Sequence, residues 1–174
     1  VKATYTQGHL CHAPMEPNAS VVWVKDGSAE VWASTQSPED IQNVLGEYLS
    51  IEPKDVYVHV MMSGGAFGRK FKCDYVQEAA AISKQVKAPV QLIWSREEDM
   101  RTGYYHSISA QHIEASMDAE NNVTGWLHRA AFPSISSLFN PTLDRAPANS
   151  LAEIERHPFG IANLRSETGL APAH

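Results

Sequence analysis

This 174-residue chain predicts an α+β fold: a mixed sheet carrying two main helices, with one βαβ unit and two β-hairpins. Three observations predict it. Two pairs of β-prone runs are each joined by turn-forming residues, as hairpins require. Two stretches place apolar residues at helical spacing. Between Val56 and Trp94 the pattern runs strand, glycine-rich loop, helix, strand, which is the length and order of a βαβ unit.

Taken in order, the chain from Gln7 to Ser20 is expected to be irregular, because Pro14 and Pro17 hold the backbone extended. Val21–Val24 and Ala29–Ala33 flank Lys25-Asp26-Gly27-Ser28, and Asp-Gly between two β-prone runs signals a hairpin. The first helix opens at Ser37-Pro38, with Ser37 as N-cap, Pro38 at N1 and Asp40 at the capping-box position. Ile41, Val44, Leu45, Tyr48 and Leu49 form its apolar stripe, and Glu52-Pro53 ends it. A strand from Val56 to about Met61 leads to the glycine loop. Asp74 is expected to cap a second helix through Val76, Ala79, Ala80, Ser83 and Val86, whose small residues allow close approach to a sheet. Ala88-Pro89 stops it, and Val90–Trp94 reads as a strand running parallel to the Val56 strand. Ser107–Met117 and Val123–Phe132, joined around Asp118–Asn122, make the second hairpin. Beyond Phe132 five prolines and weak periodicity predict extended chain, with a short helix near Leu151–Arg156. The division expected is therefore an α+β domain over 1–132 and an extended Pro-rich segment over 133–174. Val1 and the Ala171–His174 end read as the limits of a piece of a longer protein.

Composition excludes some classes. A formal net charge of −6, with no basic patch interleaved with aromatics, excludes a general nucleic-acid binder. No stretch approaches the roughly 18 apolar residues of a membrane-spanning helix. Cys11 and Cys73 are too few for a disulfide framework or an iron–sulfur site. The compartment stays open between bacterial cytoplasm and periplasm.

The candidate site centres on Met61–Lys70. Gly64, Gly65 and Gly68 permit positive φ and close backbone approach, and a loop between a strand and a helix N-terminus directs N–H groups towards an anion. Arg69 and Lys70 are the best local candidates for a phosphate contact. The spacing matches neither the dinucleotide-binding fingerprint nor the Walker loop, and a plain tight turn is the competing reading. His9 and His12 have a possible ligand spacing but no third ligand nearby, so no metal site is assigned. Ser95–Met100 reads as a solvated helical turn.

Four motifs in one order resemble a known family: His12-Ala13-Pro14-Met15-Glu16-Pro17; Glu30–Gln36; Gly64–Lys70; and Pro89-Val90 with Trp94–Asp99. Together they resemble the molybdopterin-binding large subunit of the xanthine dehydrogenase/aldehyde oxidase family. Gly103-Tyr104-Tyr105 and Phe132–Ile135 add a likeness to isoquinoline oxidoreductase β subunits and membrane-associated bacterial aldehyde dehydrogenases. The resemblance extends from about His12 to about Thr168.

The resemblance implies that Gln36 hydrogen-bonds an oxo ligand of molybdenum, as the catalytic member of the site. It implies that Gly65, Ala66, Phe67, Gly68 and Arg69 lie on the cofactor, so Phe67 and Gly68 should form a turn between strand and helix with Gln36 in reach. The parent reaction would hydroxylate a carbon of an aldehyde or aromatic N-heterocycle with water-derived oxygen. Its cofactor would be a molybdenum-pterin in the cytosine dinucleotide form, and its partners the rest of the large subunit and an iron–sulfur small subunit. Phe71 stands where xanthine oxidases carry a purine-binding glutamate, which argues against a purine substrate. The family's glutamate base is absent, so the isolated piece is expected to hold no cofactor and to be inactive. A non-catalytic interaction domain or degenerate paralogue that keeps the fold is the alternative. A generic phosphate-binding domain is a weaker one, because it leaves His12–Pro17 unexplained.

Overall fold

The computed structural model describes residues 1–143, 159–169 and 171. Its elements in chain order are β1 (Lys2–Gln7), β2 (Leu10–Cys11), β3 (Ala19–Lys25), β4 (Ser28–Ala33), α1 (Pro38–Leu49), β5 (Val56–Val60), α2 (Asp74–Val86), β6 (Val90–Ile93), α3 (Arg96–Thr102), β7 (Tyr105–His106), β8 (Ser109–Met117), β9 (Val123–Ala131) and β10 (Asn163–Thr168). This is an α+β fold with mixed sheets. The chain divides into two compact units, residues 11–105 and residues 1–10 with 106–174, a partition that differs from the boundary expected at 132. The expected helix at Leu151–Arg156 lies outside the described residues.

In the 11–105 unit a four-stranded sheet has the order β5-β4-β3-β6. Asp26-Gly27 joins β3 to β4, with Lys25 opposite Ser28 and Gly27 at φ 75°, a left-handed conformation that costs glycine little. Alternation then assigns the faces. Val22, Ala29, Val31, Ala33 and Val56 turn to one side and are fully or almost fully buried. Trp23, Glu30, Trp32 and His59 take the other, where Trp32 and His59 stack at 4.9 Å.

Two helices cover the buried face. Ile41 and Leu45 of α1, and Tyr75, Val76, Ala79 and Ala80 of α2, are 0% exposed and complete the core. Truncating a fully buried Ile or Leu to Ala typically costs about 2–5 kcal/mol, so these two residues are a main source of cohesion. Ser83 Oγ accepts from Val24 N–H at 3.0 Å and donates to Ala88 O at 2.7 Å, tying the last turn of α2 to β3 and to its own exit.

Several local expectations change. Ser37 occupies the N-cap position of α1, but its hydroxyl makes no capping bond; Thr35 Oγ1 instead accepts from Ser37 N–H at 3.0 Å. α1 stops at Leu49 with Ser50 in the left-handed region, three residues before Pro53. Asp74 is the first residue of α2 and not its cap, because its carboxylate is held by Arg69. The strands flanking α2 do run parallel, as β5 and β6, but β4 and β3 lie between them. The parallel pair in direct register is β4 with β5, connected through α1.

The other unit has the order β1-β8-β9-β10. β8 and β9 form the second expected hairpin. Asp118 Oδ1 accepts from the N–H groups of Glu120 and Asn122 in its loop, and the register shifts at Ser116/Met117. β1 pairs antiparallel with β8 and β10 parallel with β9. Neither strand was anticipated; β10 replaces part of the expected extended segment.

Candidate functional site

The glycine loop leaves β5 at Val60, and Met61 N–H donates to Ala33 O at 3.0 Å, so the loop starts beside the end of β4. Met15 N–H donates to Gly65 O at 2.9 Å, which brings the His12–Pro17 stretch against the glycines. A tight turn follows at Phe67-Gly68 and is closed by Arg69 N–H on Ala66 O at 2.9 Å. Phe67 has φ 55° and Gly68 φ 96°. A left-handed phenylalanine is uncommon, and its side chain is 59% exposed. A single 3₁₀ turn, Arg69–Phe71, separates this loop from α2, so the helix does not begin directly at the turn.

Among the described residues, the N–H groups of Gly65, Ala66, Phe67 and Gly68 donate to no protein acceptor. They are four neighbouring main-chain donors left open. A Cβ on Gly65 would lie 2.8 Å from Phe67 Cζ, so the loop folds tightly over itself there.

Gln36 reaches the same end of the sheet because it follows β4, the strand parallel to β5. Its N–H donates to Lys70 O at 3.0 Å, and Thr35 Oγ1 donates to the same carbonyl at 3.3 Å. The Gln36 side chain is exposed and has no protein partner among the described residues.

The two cations expected at a phosphate are turned inwards. Arg69 is 2% exposed and its guanidinium makes a two-point pair with Asp74, Nη1 to Oδ1 at 2.9 Å and Nη2 to Oδ2 at 2.7 Å. Its Cζ stands 5.3 Å from the Trp94 ring centre and 5.4 Å from that of Tyr104. Lys70 is 1% exposed; its Nζ donates to Ser34 Oγ at 2.6 Å and to Glu16 Oε2 at 3.0 Å. Both charges are paired with carboxylates of this chain, Asp74 and Glu16, which removes them as free phosphate ligands.

Sequence reading missed Glu16 and Ser34. The signal was present in the co-occurrence of three motifs, since the lysine ending one meets an acid from another and a hydroxyl from the third. The Ser95–Met100 stretch is also more than a solvated turn. Ser95 Oγ caps α3 by accepting from Glu98 N–H at 3.1 Å. Asp99 is 4% exposed and accepts from Arg96 Nη1 at 2.8 Å, while Arg96 Nη2 donates to Pro14 O at 2.6 Å.

Burial shapes the remaining chemistry. Desolvation pushes the Cys73 thiol up to about 11, reinforced by the nearby Asp40 charge. Burial likewise raises Tyr75, whose hydroxyl donates to Ser34 O at 3.1 Å. His9 and His12 bond to main-chain carbonyls, His106 O and Tyr104 O respectively, and no metal-ligand cluster occurs among the described residues.

Comparison with known proteins follows the same geometry. Residues 1–165 match the family described as molybdopterin cofactor-binding domain. The β subunit of isoquinoline 1-oxidoreductase from Brevundimonas diminuta is 33% identical over 124 residues, 70% of this chain and 16% of that protein. The membrane-bound aldehyde dehydrogenase (pyrroloquinoline-quinone) of Gluconacetobacter polyoxogenes is 32% identical over 128 residues, 73% of this chain and 17% of that protein. The chain therefore spans about a sixth of the length of these relatives. In three dimensions, the aldehyde oxidoreductase of Desulfovibrio gigas superposes with a TM-score of 0.76 over 97% of this chain and 18% of its own, at 16% identity, which shows a shared fold. The chain belongs to the molybdopterin cofactor-binding domain family, in the large-subunit lineage of xanthine dehydrogenases and aldehyde oxidases.

Proposed function

We propose that this chain forms one wall of the cofactor site in a molybdenum hydroxylase large subunit that oxidises an aldehyde or an aromatic N-heterocycle with oxygen derived from water. The observation that carries this reading is the set of N–H groups from Gly65 to Gly68, at the same sheet end as the Gln36 carboxamide, all without a protein partner among the described residues. These are neutral donors on a fixed backbone. They fit the oxygen-rich, anionic metal end of a molybdenum-pterin, since preset dipoles stabilise negative charge with little reorganisation.

When bound, that cofactor supplies two-electron oxidation of the substrate carbon. The chain's own residues orient it. Gln36 offers a neutral amide donor without adding a competing charge, and Gly65, Ala66, Phe67 and Gly68 offer the main-chain donors. Arg69 acts by closing the turn, its N–H on Ala66 O, while its guanidinium serves Asp74. Phe71 in place of an acid favours an apolar or aromatic substrate. By resemblance, the pterin is the cytosine dinucleotide form. The rest of the large subunit and an iron–sulfur small subunit complete the enzyme, since two cysteines cannot hold a cluster.

Gln36→Ala in the full-length enzyme tests this. Losing one hydrogen bond to a charged group removes about 1–3 kcal/mol of transition-state stabilisation, which is roughly a tenfold to hundredfold loss of turnover. Folding should be unaffected, because the side chain is exposed. Unchanged turnover at full molybdenum loading would remove Gln36 from the site.

A further inference from the structure

Lys70 links three of the four motifs. Its ammonium reaches Glu16 Oε2 at 3.0 Å in the first and Ser34 Oγ at 2.6 Å in the second. Its carbonyl accepts from Gln36 N–H at 3.0 Å and Thr35 Oγ1 at 3.3 Å. Lys70 itself ends the third, two residues after Gly68.

A buried ammonium is costly unless its donors are satisfied. Here a carboxylate and a hydroxyl satisfy two of them, and both come from segments that border the glycine loop. The cost is therefore tied to holding those segments together. Glu16 is half exposed, at 51%, whereas Lys70 is 1% exposed, so the geometry is set from the lysine side. The core of α1, α2 and the sheet lies elsewhere, on Val22, Val31, Ile41, Leu45 and Val76.

We infer that Lys70 is a positioning residue, whose buried side chain fixes its own carbonyl and thereby sets Gln36 relative to the open N–H groups of Gly65–Gly68. The assignment of a catalytic purpose to that spacing rests on the function proposed above; the brace itself does not. Removing the ammonium leaves the sheet and helices in place but frees the Ser34–Gln36 segment from the loop.

The test is amide hydrogen exchange on the full chain with Lys70→Met, which keeps the length and apolar stem of the side chain. Exchange at Gln36 N–H should accelerate at least tenfold, while the amides of α1 and α2 keep their wild-type rates. A general loss of stability would instead accelerate both helices together. Glu16→Gln at the exposed end and Ser34→Ala at the buried end each remove part of the same brace and should accelerate Gln36 by a smaller factor, even if Lys70→Met does not fold. Wild-type exchange at Gln36 in these variants overturns the inference. The two readings separate cleanly: accelerated exchange with unchanged turnover in Gln36→Ala enzyme keeps the brace and rejects the catalytic role. Wild-type exchange with impaired Gln36→Ala turnover does the reverse.

Discussion

Arg69 and Asp74 meet as a two-point pair across five residues, with N···O distances of 2.9 and 2.7 Å, at the junction of the glycine loop and α2. The guanidinium side is 1% exposed and the carboxylate side 25%. Arg69 Nε has no partner among the described residues, so Asp74 is the principal counter-charge of a cation enclosed by Trp94 and Tyr104.

Asp74→Ala should therefore destabilise the chain by about 3 kcal/mol, the range seen when one member of a buried pair is removed. Urea unfolding monitored by tryptophan fluorescence measures it. A change below about 1 kcal/mol, the level of a surface pair, would mean that water reaches Arg69.

Gly68→Ala and Gly65→Ala should differ in cause and size. At Gly68 a Cβ meets the His12 ring no closer than 3.7 Å, so space is ample, but φ is 96° and an L-residue is strained there. The expected cost is about 1–2 kcal/mol. At Gly65 the Cβ would meet the Phe67 ring tip at 2.8 Å, yet that ring is largely exposed and free to turn away, so the cost should stay under about 1 kcal/mol. Equal thermal shifts in the two variants would contradict this assignment.

Cys73 should make the fold alkali-sensitive. Its thiol is raised from 9.0 to about 11 in the folded chain, so between those values the unfolded state has lost a proton that the folded state keeps. Stability is then highest below about pH 9 and falls as pH rises towards 11, by about 2–3 kcal/mol for two units. Cys73→Ala should flatten this fall in a pH series of urea midpoints. Thiol labelling near pH 8 should modify the half-buried Cys11 before Cys73; equal rates would show that Cys73 is not enclosed.

Purified alone, the 174-residue chain should carry no stoichiometric molybdenum and show no hydroxylase turnover. On the function proposed above, its share of the site is one glycine loop and one glutamine, and a pterin cofactor must be enclosed to exclude water. Exposed apolar side chains near the loop, Met62 at 96% and Met15 at 73%, favour self-association in isolation. Elemental analysis with a dye-reduction assay on aldehydes and N-heterocycles checks this. Stoichiometric metal with turnover would mean that the site is complete within these residues.

The core was legible because its signals are local. Asp26-Gly27 sits between two alternating runs, and the stripe Ile41, Val44, Leu45 needs no distant partner to be read. β1 and β10 lacked such a signal. Lys2–Gln7 is exposed at five of six positions, and Asn163–Thr168 at two of six with none fully buried, so their strand character comes from β8 and β9 and not from a buried face of their own. The direction of β5 and β6 followed from the helix between them, but which strands separate them is a property of the whole sheet. Around the candidate site, the motifs singled out Gln36 and the glycine loop, and both lie at one end of the sheet, after β4 and β5. The fate of Arg69 and Lys70 was not, because two adjacent cations look solvated until their acids are located, one of them 54 residues away.

The strand order β5-β4-β3-β6 carries a consequence for how the 11–105 unit assembles. β3 and β4 are neighbours in both chain and space, joined by two residues, so their closure costs little entropy. β5 and β6 gain their ladders only by docking onto opposite edges of that hairpin, each after its preceding helix has spanned a longer segment. The hairpin is thus a template with two vacant sides, and the outer strands are its late arrivals. Pulse-labelled hydrogen exchange during refolding should protect Val22–Val24 and Ala29–Val31 before Val58 or Leu92. Simultaneous protection would mean that the sheet closes as one event.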